Sequence, residues 1–338
     1  MKPGDEILLL DPFFLWHPVL YNAGLKIKYS ETIYIPSEAG DSFEHKINFE
    51  EIDSLIGEDT KAIILICPNN PDGRVWTREE SNKLADIVLK HKDLKVFSDE
   101  VYNRHIFDNN EFIPFASIPG MRERTVTGYS FGKEFHVTGW RVGAAVGDKK
   151  LMEPIIKYGE LSVGDISIVS KLAVAYALEA AEKEYIDGKT YYEWLKEDFS
   201  ERKRRISSAL NNTKRLDLKL VNARGGYSFI ANFESEIKNI PIAYYYPDSG
   251  VPASETRKHI QNVDEFRTLQ KPERSIDHAF NDFMIQEFGF GGIPCSSFYY
   301  NDLRDLPDWK GMNYIRYSVC KCDETISKLE KLLEVDTN

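Results

Sequence analysis

With 338 residues, 42% of them apolar and 12% aromatic, the chain can close one large or two medium hydrophobic cores, which excludes a disordered tail. Its 54 acidic and 43 basic side chains leave a net charge of −11, which excludes a nucleic-acid groove or an anionic-membrane footprint, both of which need concentrated Lys and Arg. Small molecules or other proteins are the expected partners. Cys67, Cys295, Cys320 and Cys322 do not make a disulfide framework at this length, and Cys-x-Cys alone lacks the ligand count of a structural zinc site, so no metal is expected. No apolar run is long enough to span a bilayer, and Met1 opens onto a Lys-Pro-Gly-Asp-Glu turn rather than a signal peptide. The expected location is cytoplasmic, or mitochondrial if a segment lies upstream.

Short apolar runs at 6–10, 62–67, 94–99, 125–130 and 141–147 read as buried strands. Between the second and third lies "TREESNKLADIVLKH" (77–91), a helix candidate in which Thr77 and Glu80 have the spacing of a capping box. Strands alternating with helices predict an α/β domain, a mostly parallel sheet covered on both faces. Helical patterns follow at 149–159, 166–184 and 190–211. After them come a strand at 226–233, a polar insert at about 236–275 read as a mobile surface loop, a helix at 277–288, a strand at 313–319 and a closing helix at 323–335. The organisation expected is a large domain over 1–190 and a smaller α+β domain over 191–338 that includes the linking helix.

In such sheets ligands bind beyond the carboxyl ends of the strands. "PNNPDG" places Asn70 after the second strand, "DEVY" places Asp99 and Tyr102 after the third, and "SFGKEFHVTGWRVG" places Ser130, Lys133 and Arg141 after the fourth. Singly these are ordinary turn and helix-entry residues, and Asp72 is simply a good turn former. Taken together, an amide, an acid, a phenol, a hydroxyl, a lysine and an arginine at consecutive strand ends point to chemistry. Late in the chain Arg316 sits among Ile, Tyr and Val, which suits a partnered cation better than a solvated one.

"NNPDG", "SDEVY" and "SFGKEFHVTGWRVG" resemble, in type, order and spacing, the signature of the fold-type-I pyridoxal-phosphate aminotransferases of class I/II. The likeness runs from "GDEILLLDPFF" through "GGYSF" to "YIRYSVCKCDETI" and is nearest to the kynurenine aminotransferase, glutamine transaminase K and cysteine-S-conjugate β-lyase group. The resemblance implies a three-layer α/β/α large domain, pyridoxal 5′-phosphate as cofactor, L-amino acid and 2-oxo acid substrates, and a homodimer. It implies that Lys133 forms a Schiff base and then serves as general base, and that Asp99 keeps the pyridine nitrogen protonated. Tyr102 and Asn70 would bond the cofactor's 3′-oxygen, Ser130 and Arg141 would hold its phosphate, and Phe13 or, better by resemblance, Phe14 would lie against its ring. Arg316, with Asn70, would take the substrate α-carboxylate.

The resemblance also places the start of the chain well inside the family's large domain. An N-terminal arm, a glycine-containing phosphate turn and a tyrosine donated across the dimer are therefore expected to be missing. "SVGD" (162–165) stands where kynurenine aminotransferases carry an aromatic-histidine pair, so Asp165 is expected to favour a cationic or hydrogen-bonding substrate side chain over kynurenine. Two other readings stay open at this level. One is a β-lyase acting on cysteine S-conjugates with the same cofactor. The other is a non-catalytic, truncated homologue acting as a binding or dimerisation partner.

Overall fold

The computed structural model describes residues 1–14, 16–299 and 310–334. Its strands are β1 (Glu6–Asp11), β2 (Lys26–Glu31), β3 (Ile33–Pro36), β4 (Ser42–Lys46), β5 (Thr60–Ile66), β6 (Lys95–Asp99), β7 (Thr125–Ser130), β8 (Gly143–Gly147), β9 (Glu184–Ile186), β10 (Lys189–Thr190), β11 (Lys219–Val221), β12 (Ser228–Asn232), β13 (Ile293–Pro294) and β14 (Tyr314–Ser318). Its helices are α1 (His17–Asn22), α2 (Phe49–Leu55), α3 (Arg78–Lys90), α4 (Phe131–Glu134), α5 (Lys149–Ser162), α6 (Ile168–Ala181), α7 (Tyr191–Asn212), α8 (Val263–Phe266), α9 (Ile276–Phe288) and α10 (Asp323–Glu334). Every strand and helix expected from the sequence is present within a few residues of its expected ends, but β8, expected to be buried, is an edge strand and mostly exposed. Residue 335 of the closing helix lies outside the described residues.

The first sheet has the order β2-β1-β5-β6-β7-β8, parallel throughout except for the β7–β8 pair. The runs "EILLLD" and "TKAIILI" are apolar at nearly every position because both faces are covered. Leu8, Leu10, Ile63 and Leu65 pack with Leu84 and Val88 of α3, while the alternate positions Ile7, Leu9, Ile64 and Ile66 join Phe13 and Leu20 on the opposite face. The Thr77 box forms as expected: the Glu80 amide donates to Thr77 Oγ1 at 3.2 Å and the Thr77 amide to Glu80 Oε2 at 2.8 Å.

The second sheet runs β13-β14-β12-β11-β4-β3 and carries α7, α9 and α10 through Phe199, Ile206, Phe280, Met284 and Ile326. It recruits β3 and β4 from the first half of the chain, so the two sheets interleave in sequence and the turns of one meet the strands of the other. Nothing in the sequence announces β2 to β4: "KIKYSE" and "SFEHK" are mostly half-buried or exposed and read as largely polar, and "IYIP" is a mostly exposed run of only four residues ending in Pro. The 236–275 insert corrects the expectation of a mobile surface loop. Two 3-10 turns and α8 press Ile237, Tyr245, Ile260 and Phe266 into the core, with Tyr245 fully buried. Its apolar residues lack a regular period, so pattern alone hides their burial. By contrast α5 buries no side chain, and α6 leaves Ile168, Val169, Leu172 and Tyr176 exposed. Among the described residues no helix is long and apolar enough to cross a membrane.

Candidate active site

β5, β6 and β7 are neighbours and parallel, so the residues following their last positions share one edge of the sheet. Asn70 lies in the turn after β5, Asp99 ends β6 with Tyr102 just beyond it, and β7 ends in Ser130 with Lys133 one helical turn later. From the second sheet β14 brings Arg316 to this edge, where Nη1 donates to Asn70 Oδ1 at 2.8 Å. Asn70 lies close enough to the Tyr102 phenol to favour its ionised form, and the Tyr102 ring lies 5.9 Å from Lys133 Nζ. Arg316, Asn70, Tyr102 and Lys133 thus form one connected cluster, assembled from residues up to 246 positions apart.

The turn that carries Lys133 is short and would not persist alone, since a single helical turn fixes more dihedrals than it gains hydrogen bonds. Three tyrosines hold it. Tyr227 donates to the Lys133 carbonyl, Tyr191 to the Glu134 carbonyl at 2.8 Å, and Tyr192 to the buried Glu134 carboxylate. The Tyr227 ring also faces Lys133 Nζ at 5.5 Å, on the cation–π scale of distance. β7 and β8 form a hairpin in which Ser130 pairs with Gly143, and this folds Arg141 back toward Ser130. A side chain at Gly143 would bring its Cβ to 2.6 Å from the Tyr129 carbonyl, so the close return needs glycine there. The Ser130 hydroxyl is not used to cap α4.

Burial sets the electrostatics of this edge. It pushes the Asp99 carboxyl up to about 6, with the Val101 amide opposing and Glu100 reinforcing, and no cationic side chain is among the groups that shift it. Burial likewise pushes Tyr102 up to about 12, with Asp99 adding and Arg316 opposing. Arg316 itself is lowered by desolvation, and its Nε is a buried donor without a partner among the described residues. A desolvated carboxyl without a counter-cation and a half-buried guanidinium with a spare buried donor suit, respectively, a protonated ring nitrogen and a carboxylate ligand.

The remaining expected residues are placed differently. Phe13 is core, 1% exposed and stacked on Tyr29 at 6.2 Å, whereas Phe14 is 48% exposed, so only Phe14 presents a free ring. Arg141 is exposed, left-handed at φ 55°, and donates to the Thr138 carbonyl at 3.3 Å. Asp165 is not tied to the cluster by any contact among the described residues; its exposed carboxylate is ion-paired with Lys171. Two members were not assigned from the sequence. Tyr227 sits in the "GGYSF" run, whose pattern reads only as a strand start. His105 is fully buried under Tyr227 at 4.5 Å and Phe199 at 4.8 Å, and burial pushes it down to about 3. No residue-type signal distinguishes such a histidine from an ordinary turn residue.

This architecture is the fold-type-I transaminase fold: Bna3p of Saccharomyces cerevisiae superimposes with a TM-score of 0.79 at 26% identity, covering 99% of this chain and 72% of that one. Residues 1–325 match the family described as aminotransferase class I and II, and the chain belongs to it. A kynurenine–oxoglutarate transaminase of Dictyostelium discoideum is 32% identical over an alignment of 343 positions that covers 97% of this chain and 70% of the relative. Kynurenine–oxoglutarate transaminase 3 of Rattus norvegicus is 30% identical over an alignment of 340 positions that covers 98% of this chain and 66% of the relative. The chain therefore spans about two thirds of the length of these curated relatives. The family is one of transaminases, generally dependent on pyridoxal phosphate and generally dimeric, acting on amino acids and oxo acids.

Proposed function

We propose that the chain transfers an amino group from an L-amino acid to a 2-oxo acid with pyridoxal 5′-phosphate held at the β5–β6–β7 edge. The observation that carries this reading is the single cluster linking Lys133, Tyr102, Asn70 and Arg316, with the uncompensated Asp99 carboxyl beside it. Asp99 would face the ring nitrogen, Asn70 and Tyr102 the 3′-oxygen, Ser130 and Arg141 the phosphate, and Phe14 the ring. When bound, the cofactor supplies an aldehyde that condenses with amines and a ring that withdraws electrons from the substrate Cα. Lys133 supplies the amine and, once a substrate amine has replaced it, the base that takes and returns the Cα proton at Nζ. Arg316 binds the substrate carboxylate through its planar fork, with Asn70 fixing one edge of that fork. Tyr227 keeps the Lys133 backbone in place while its side chain moves a proton.

A homodimer is the proposed working form, and the exposed apolar side chains of α5 and α6 support it. The names of the relatives make L-kynurenine and 2-oxoglutarate the first pair to assay, followed by Gln, Met and Phe as donors. The test is pyridoxal phosphate loading, removal of the excess and a donor screen with Lys133→Ala as control. Turnover that needs Lys133 supports the reading, and pyruvate release without an oxo-acid acceptor would instead mark a β-lyase.

A further inference from the structure

Asp72 reads in the sequence as an ordinary turn former, yet it is fully buried, and burial of a carboxylate is costly unless donors surround it. Donors do surround it. Its Oδ1 accepts from Asn69 Nδ2 at 2.8 Å and from the Arg74 amide at 3.2 Å. Its Oδ2 accepts from Tyr34 Oη at 3.0 Å and lies 3.4 Å from His45 Nε2. Burial alone would raise its pKa, but His45, Arg74 and these hydrogen bonds outweigh that and hold the carboxyl well below the usual range.

The partners come from two sheets. Tyr34 is on β3 and His45 on β4, both in the second sheet, whereas the Asn69–Gly73 turn follows β5 of the first. The same turn is fastened elsewhere to the second sheet, by Ser228 Oγ on the Pro71 carbonyl at 2.9 Å and by the Arg224 amide on the Gly73 carbonyl at 2.8 Å. Gly73, at φ +70°, has no room for a side chain: a Cβ would lie 2.5 Å from that of Ala223. One end of the clamped turn is Asn69, whose amide also holds the Pro12 carbonyl at 2.9 Å, two residues before Phe14. Next to it in the turn is Asn70, the partner of Arg316.

We propose that Asp72 is a positioning residue for substrate capture. Clamped by Tyr34 and His45, its carboxylate fixes the Asn69–Asn70 pair, and Asn70 in turn presets the Arg316 guanidinium for the substrate carboxylate. The inference rests on the reading of Arg316 given above. It accounts for a buried charge that neither the turn nor the chemistry requires, since an uncharged residue could close the same turn.

The test uses the cofactor-loaded chain and compares Asp72→Asn, Tyr34→Phe and Arg316→Gln with wild type. Binding of 3-phenylpropanoate, a carboxylate with no amino group to react, is measured by calorimetry, and KM and kcat are measured with the best donor found. Asp72→Asn is expected to weaken the probe and raise KM for both substrates by on the order of tenfold, with kcat and the retained cofactor band little changed. Tyr34→Phe, which removes one hydroxyl from the clamp and keeps the ring, is expected to shift both in the same direction by a few-fold. Should Asp72→Asn not fold, Tyr34→Phe decides alone. If Arg316→Gln weakens the probe but neither clamp variant does, the assignment of Asp72 is overturned while the reading of Arg316 stands. If the wild type does not bind the probe, or Arg316→Gln leaves its affinity unchanged, the carboxylate reading falls and this inference with it.

Discussion

Arg316 and Arg141 are the two guanidinium groups of the candidate site, and the fold treats them differently. Arg316 is half-buried on a central strand, bonded to Asn70 and 5.0 Å from the Phe298 ring. Arg141 is exposed at the end of a hairpin loop, in a left-handed conformation that few non-glycine residues adopt, with one long bond to the carbonyl of Thr138. A preset guanidinium loses little freedom when its ligand arrives, while an exposed one must be ordered by the ligand itself. On the proposed reading, the substrate end of the site is therefore preorganised by side chains of this chain, and the anion end depends more on what binds.

The largest effect expected from this contrast is at Arg316. On the proposed reading, Arg316→Gln removes a charge-assisted pair to the substrate carboxylate worth about 2 kcal/mol, so KM for the amino acid should rise roughly thirtyfold with kcat less affected. Steady-state kinetics on the loaded protein check it, and a kcat loss at constant KM would break the contrast. Next is Asp99, whose carboxyl is pushed up from 3.8 to about 6 by burial. Because the folded state holds this proton after the unfolded chain has released it, stability falls as pH rises through that window. Without cofactor the loss is about 2 kcal/mol between about pH 4.5 and pH 7. Thermal unfolding of cofactor-free Asp99→Asn should show this part of the pH dependence gone, and an unchanged slope would mean that Asp99 is not the buried acid described.

A smaller change is expected at the anion end. Arg141→Gln should weaken pyridoxal phosphate retention by about 1 kcal/mol, roughly fivefold, measured by equilibrium dialysis at fixed salt. A loss larger than that at Arg316 would reverse the comparison. The smallest effect is at Asp165, where Lys171 already pairs the exposed carboxylate. Asp165→Ala should leave donor preference within about twofold, as for surface substitutions generally. A marked shift in favour of aromatic donors would restore the sequence-based expectation that this acid selects substrates.

Much of the first sheet was legible because a strand covered on both faces writes itself as an unbroken apolar run, as in "EILLLD" and "TKAIILI". The strand-end residues Asn70, Asp99, Tyr102, Ser130 and Lys133 were legible for the same reason, since the end of each run locates the sheet edge. The strands β3 and β4 were not, because their half-exposed residues carry no such run. Without β3 and β4 the role of Asp72 could not be seen, as two of its partners, Tyr34 and His45, lie on them. Burial of the 236–275 insert escaped notice because 3-10 turns bury side chains without a helical period. His105 and Tyr227 act by contact across long sequence separations, which no local pattern encodes.

The most direct test of the central claim is the visible spectrum of the full chain after pyridoxal phosphate is added and the excess removed, with Lys133→Ala beside it. A retained band that is absent from the variant, is fixed by borohydride and bleaches on addition of an amino acid is the predicted result. No retained band in the wild type, or an equal band in Lys133→Ala, would contradict the assignment of Lys133 and the function built on it.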